Sequence, residues 1–217
     1  VGSEMCIRDR LQTLQVGALG VGQVGVIETE DLRVFESAQM QALSTMQVKA
    51  LTTTQLVGLR SEQMGLFTPA QLSGLGSEQV SGLLSGQLNA LQIGQVRALL
   101  PVQVGGLKGE QLSALDMARV TALMTGQLQA LKPVQIGALT AQQMEWLESV
   151  QLSGLGVGQV RLLTLEQLQA IQTQDVRMLG SAQVFGLLSE QVVALTSGQV
   201  RALQTLQVGA LGVGQVG

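Results

Sequence analysis

The sequence predicts an all-α solenoid of about 25 very short helices, one per eight-residue repeat, and three observations predict it. Counting in steps of eight, one slot recurs 26 times between residues 15 and 215, and 23 of those positions hold glutamine. Numbering the octad so that this glutamine is slot 4, slot 5 is Val, Leu, Ile or Met in every copy from Val16 to Val216, and slot 8 is Leu except at Ile27, Phe35, Phe67 and Ile171. The third observation is that Pro69, Pro101 and Pro133, the only prolines, all fall in slot 2.

Residues 1–10, VGSEMCIRDR, stand outside this pattern and hold the only cysteine. They resemble translated adapter sequence at the end of a metagenomic reading frame, so they are set aside as a non-native tail. Residues 11–217 then form a single octapeptide-repeat domain, which we expect to be truncated at both ends. This part has no Cys, His or Tyr. No thiol or imidazole is available as nucleophile, base or metal ligand, and the expectation is a chain that is not an enzyme, without cofactor or metal. A net charge of −3 with 12% charged residues offers no basic surface for nucleic acid. Every octad interrupts the apolar pattern with polar residues, so no membrane span is expected.

A continuous helix cannot carry the repeat, because eight residues at 100° each displace the Leu stripe by about 80° per octad. In a strand, slots 5 and 8 would face opposite ways. On a helix they are i and i+3 and share a face. Each octad is therefore expected to be a short helix, redirected at its junction.

The junctions follow the same logic along the chain. Proline at the first helical position makes slot 1 the N-cap and puts glutamine at N3, as in a capping box. Thr52, Thr68, Thr140, Thr164 and Thr196 would cap with Gln55, Gln71, Gln143, Gln167 and Gln199. Glu62, Glu78, Glu110, Glu166 and Glu190 sit at N2, near the positive end of the helix dipole, and Arg97, Arg161, Arg177 and Arg201 in slot 6, near the negative end. Against helix stand 27 glycines, each costing up to about 1 kcal/mol in a helix interior. Slot 7 is mostly Ala or Gly, which lets backbones approach. Its larger residues are Val26, Val34, Leu66, Trp146, Leu162 and Met178, and all but Val26 lie in odd-numbered octads, while the prolines lie in even ones. That parity points to a coil of two octads, 16 residues. LQTLQVGALGVGQVG at 11–25 recurs at 203–217, which reads as a higher-order repeat or an assembly product.

The residues that stand out have bland and functional readings. The repeated glutamines, represented by Gln55, Gln63, Gln71, Gln79, Gln191 and Gln199, read as structural fasteners that close the cap and bond to neighbouring backbone. Asp31, Arg119 and Asp175 replace glutamine, so no chemistry depends on one copy. GVGQVG at 20–25 and 212–217 matches the dinucleotide fingerprint but lacks its strand and its acidic partner. Glu28, Glu30, Asp31 and Glu36 lack the alternating spacing of a calcium loop and read as a solvated face. Trp146 intrudes into a small-residue slot and Phe185 into a polar one; both are candidate partner contacts.

The octads LTTTQLVGL (51–59), LTLEQLQAI (163–171) and LSEQVVALTSGQVRAL (188–203) resemble the octapeptide arrays, L-T/S-x-x-Q-V/I-x-A-L, of long, mostly uncharacterised bacterial proteins. The resemblance implies a repeat module on a secreted or cell-surface protein and says little about activity. LTLEQLQAI also resembles part of the TAL effector repeat, but the 34-residue period, the base-reading pair and the basic stripe are missing, so DNA binding is not carried over. The expected function is a non-catalytic spacer or scaffold, elongated through self-stacking repeats, within a larger bacterial protein. The alternative is an array that binds a repetitive ligand, whether polysaccharide, peptide or ice, with a protein or a glycan as the partner.

Overall fold

The computed structural model describes residues 11–216. The set-aside segment 1–10 and Gly217 lie outside the described residues. The chain divides into two compact units, one up to Leu107 and one from Lys108. The first contains α1 Thr13–Ala18, α2 Val21–Val24, α3 Thr29–Arg33, α4 Ser37–Ala42, α5 Thr45–Ala50, α6 Thr53–Gly58, α7 Ser61–Met64, α8 Pro69–Ser73, α9 Ser77–Gly82, α10 Ser85–Asn89, α11 Ile93–Ala98 and α12 Pro101–Val104. The second contains α13 Gly109–Ser113, α14 Met117–Ala122, α15 Thr125–Gln129, α16 Pro133–Ile136, α17 Ala141–Trp146, α18 Ser149–Ser153, α19 Val157–Val160, α20 Leu165–Ala170, α21 Thr173–Val176, α22 Ser181–Phe185, α23 Ser189–Ala194, α24 Ser197–Ala202, α25 Thr205–Ala210 and α26 Val213–Val216. The described residues are thus all-helical, with one helix per octad.

Helices this short do not persist alone, so each end is tied. Slot 1 is the N-cap in extended conformation, as at Thr52 (φ −71°, ψ 158°), and the preceding slot-8 leucine is extended too, as at Leu51 (φ −60°, ψ 133°). Two extended residues therefore redirect the chain between helices. Proline in slot 2 favours that geometry, since it pushes the residue before it away from the α region. No described residue has positive φ, glycine included. The glycines serve close approach instead. A Cβ on Gly58, Gly74, Gly82 or Gly154 would fall 1.9–2.3 Å from the Cγ2 of Thr29, Thr45, Thr53 or Thr125. In each case slot 7 of one octad lies on slot 2 of the octad three before it.

This stacking corrects the 16-residue coil. Within each unit octads stack on the third one along, α1 on α4 and α5 on α8 in the first, α14 on α17 and α22 on α25 in the second. Side-chain bonds between turns join residues 25 to 31 apart, so one turn takes about 28 residues, between three and four octads. Because three is odd, the step sets slot 7 of an odd octad on slot 2 of an even one and slot 7 of an even octad on slot 2 of an odd one, as with Gly58 on Thr29.

The interior is built from slots 5 and 8, with Leu56, Met64, Leu72, Leu88, Leu112, Leu128, Ile136 and Met144 among the fully buried side chains. Each apolar pair is covered by later octads. Slot 5 is buried up to Val184, half-buried at Val192 and about half exposed at Val200 (49%) and Val208 (50%). No helix among the described residues is long and apolar enough to cross a membrane.

Candidate functional site

The glutamine in slot 4 occupies N3 of its helix, and its two ends do different work. Oε1 accepts the backbone N–H of its own N-cap residue: Thr52 to Gln55 at 2.7 Å, Arg60 to Gln63 at 3.0 Å, Thr68 to Gln71 at 2.7 Å and Gly76 to Gln79 at 2.7 Å. In the second unit Leu188 does so to Gln191 at 2.8 Å and Thr196 to Gln199 at 3.0 Å. Where slot 1 is threonine the cap is reciprocal, as the Gln55 N–H donates to Thr52 Oγ1 at 3.1 Å. Where it is Gly, Leu or Lys, glutamine is the one side chain of the cap.

Nε2 leaves the octad altogether. It donates to the slot-5 and slot-8 carbonyls of the octad four before: Gln55 to Val24 (3.0 Å) and Ile27 (2.7 Å), Gln63 to Leu32 (2.8 Å) and Phe35 (3.1 Å), and Gln71 to Met40 (2.8 Å) and Leu43 (2.5 Å). In the second unit Gln191 reaches Val160 (3.2 Å) and Leu163 (2.7 Å), and Gln199 reaches Leu168 and Ile171, both at 2.8 Å. Gln79 is half-buried and bonds instead to Lys49 and Leu51. Those carbonyls stand at the end of a helix, where intrahelical donors run out. One side chain thus caps the start of its own helix and the end of another a full turn away. Within each unit the predicted glutamine positions line up as a mostly buried ladder, interrupted where slot 4 is not glutamine. Gln15 and Gln23, which have no octad four before them among the described residues, are exposed.

The exceptions show the same demand. Asp116 caps α14 by accepting the Arg119 N–H and also takes the Arg119 Nη1, both at 3.0 Å. Asp175, 5% exposed, accepts from Ser149 Oγ on α18. The glycines of the two GVGQVG segments lie on octad slots, and the N–H groups of Gly20 and Gly212 bond to Gln23 and Gln215 at 2.7 and 2.6 Å.

Trp146 ends α17 and is half-buried, whereas Phe185 ends α22 and is 62% exposed. The two helices are not a stacked pair. An open groove of about 630 Å³ in the second unit is lined by Pro133, Gly154, Gly156, Val157, Gly158 and Gly180 among others, with no ionisable side chain. Among the described residues no three His, Cys, Asp or Glu side chains are grouped to hold a metal ion.

The expected bond from glutamine to neighbouring backbone is present, and what the sequence left open is the octad it reaches, although a signal that the side chain must donate is visible there. A capping box accepts glutamate as well as glutamine at N3, yet no slot 4 holds glutamate. The carboxamide N–H₂ is what glutamate lacks.

Two segments, residues 24–61 and 168–205, match the family model of the ALTTAQ repeat. Ala50-Leu51-Thr52-Thr53-Thr54-Gln55 in the first shows the order that the description spells: slots 7 and 8, the cap, and the ladder glutamine. A comparison with curated proteins gives no match. The two matches support a repeat-array protein, and in the structure the repeating element is the capped, stapled octad.

Proposed function

We propose that residues 11–217 act as a non-catalytic spacer or scaffold module within a larger bacterial protein. The observation that carries this reading is the ladder: the recurrent polar side chain, the natural candidate for chemistry, is consumed at both ends by backbone groups, and the open groove of the second unit has no ionisable side chain in its lining. A repetitive-ligand array is the weaker reading. Its natural contact groups, the slot-2 threonines, are partly engaged in packing: the methyls of Thr29, Thr45, Thr53 and Thr125 lie against slot-7 glycines of the next turn, with Thr29 and Thr125 half-buried and Thr45 and Thr53 exposed.

A spacer needs equivalent octads, so its length can change without loss of fold. Deleting eight consecutive residues, 76–83, joins Leu75 to Leu84 in register, and every later octad still finds partners three and four before it. The deletion is expected to keep helical circular dichroism and cooperative unfolding, while deleting only 76–79 should abolish both. Unfolding of the eight-residue deletion would contradict the equivalence on which the proposal rests. Saturable binding of the full chain on a glycan or peptide array, lost on replacing Phe185 or Trp146 by alanine, would favour the ligand array instead.

A further inference from the structure

Asp175 stands in the ladder position of α21, and the octads around it are stapled. Gln167 donates to Ile136 O (3.0 Å) and Leu139 O (2.5 Å), and Gln183 to Leu152 O (3.0 Å) and Leu155 O (2.7 Å). By the same register Asp175 faces the carbonyls of Met144 and Leu147 at the end of α17. Its side chain is one methylene shorter, and a carboxylate has no hydrogen to donate. Among the described residues neither carbonyl receives a ladder bond, and the N–H of the cap residue Gln172 has no side-chain acceptor of the kind that glutamine supplies elsewhere. What remains is the bond from Ser149 Oγ, which ties α21 to the octad three before, and an exposed one from Gln172 Nε2 to Glu145 O at 3.1 Å.

The substitution recurs in place. Asp31-Leu32-Arg33 and Asp175-Val176-Arg177 occupy the same position in the two segments that match the family model.

We propose that Asp175 is a built-in breakpoint of the second unit, where turns separate first between α17 and α21 while the stapled octads on either side stay closed. In an array of equivalent repeats, stability is a sum of local terms, so opening has no preferred place until one link is made deficient. Trading a buried three-bond staple for one bond to a different octad and one exposed bond to α17 supplies that deficiency. The inference does not depend on the spacer reading.

Hydrogen exchange of the full chain tests it. The hydrogen-bonded amides of α21 and its end, Val176 and Leu179, should exchange about tenfold or more faster than Leu168 and Ile171 of the octad before and Val184 and Leu187 of the one after. Asp175→Gln should bring α21 to the rate of its neighbours, and Gln183→Asp should open a second fast site at α22. Equal rates across the three octads in the natural chain, or an α21 rate that Asp175→Gln leaves unchanged, would overturn the proposal.

Discussion

Replacing Gln103 by glutamate separates the two halves of the ladder bond. Gln103 is 0% exposed, accepts the Leu100 N–H at 2.6 Å and donates to Leu72 O at 2.9 Å and Leu75 O at 2.6 Å. Leucine at the cap cannot help, so all three bonds rest on this side chain. Glutamate keeps the acceptor for Leu100 but sets an oxygen against two carbonyl oxygens. With a neutral hydrogen bond contributing about 1 kcal/mol and each bare buried partner costing about 1–3, the loss at pH 7 should be about 3–5 kcal/mol, a large share of the stability of an ordinary domain. Burial against oxygens raises the folded-state pKa of this glutamate above its unfolded value of about 4.3. Its protonated form can donate one bond, so the stabilisation is fully present below about pH 4 and is lost as pH rises through the folded pKa. Gln103→Met, which can neither accept nor titrate, should lose a similar amount at both pH values. The assay is urea unfolding followed by circular dichroism at pH 4 and pH 7, each variant compared with the natural chain. A glutamate variant within about 0.5 kcal/mol of the natural chain at pH 7, or a deficit that does not shrink on acidification, would refute the reasoning.

Other expectations follow from the packing and the caps. Gly58→Ala should cost about 1–3 kcal/mol through overpacking against the Thr29 methyl; Thr29→Ser should return most of it, and a double-mutant cycle with no coupling would count against the slot-7 contact. Thr52→Ala removes the reciprocal cap bond to the Gln55 N–H but leaves the ladder intact, so chemical denaturation should read about 1 kcal/mol, well below the loss for Gln103→Glu. Pro133→Ala should be milder still, because the N1 position needs no N–H; a loss above about 2 kcal/mol in the same assay would show that proline there does more than preset the turn.

Much of this fold is legible because its rules are local. Slot 2 prolines placed the first helical residue, threonine in slot 1 placed the caps, and the i, i+3 spacing of slots 5 and 8 placed the buried stripe. The stacking step was not legible, since it depends on the angle that two extended residues, such as Leu51 and Thr52, impose between successive helices. No side chain encodes that angle directly; its trace is the complementarity of residues on different turns, such as Gly58 with Thr29. The site was half legible in the same way: the cap end of Gln55 follows from its own octad, whereas its bonds to Val24 and Ile27 require the superhelix. Trp146 and Phe185 stood out in the sequence, and the structure gives them exposure without bringing them together.

Glutamine joins an octad to the one four before it, and nuclear Overhauser contacts from the side-chain amide protons of Gln103 test that most directly. Contacts to Leu72 and Leu75 are expected, with side-chain amide exchange slowed relative to exposed Gln15 and Gln23. Contacts to Leu88 and Leu91 of the octad two before, with exchange as fast as at Gln15, would contradict this and restore the 16-residue coil.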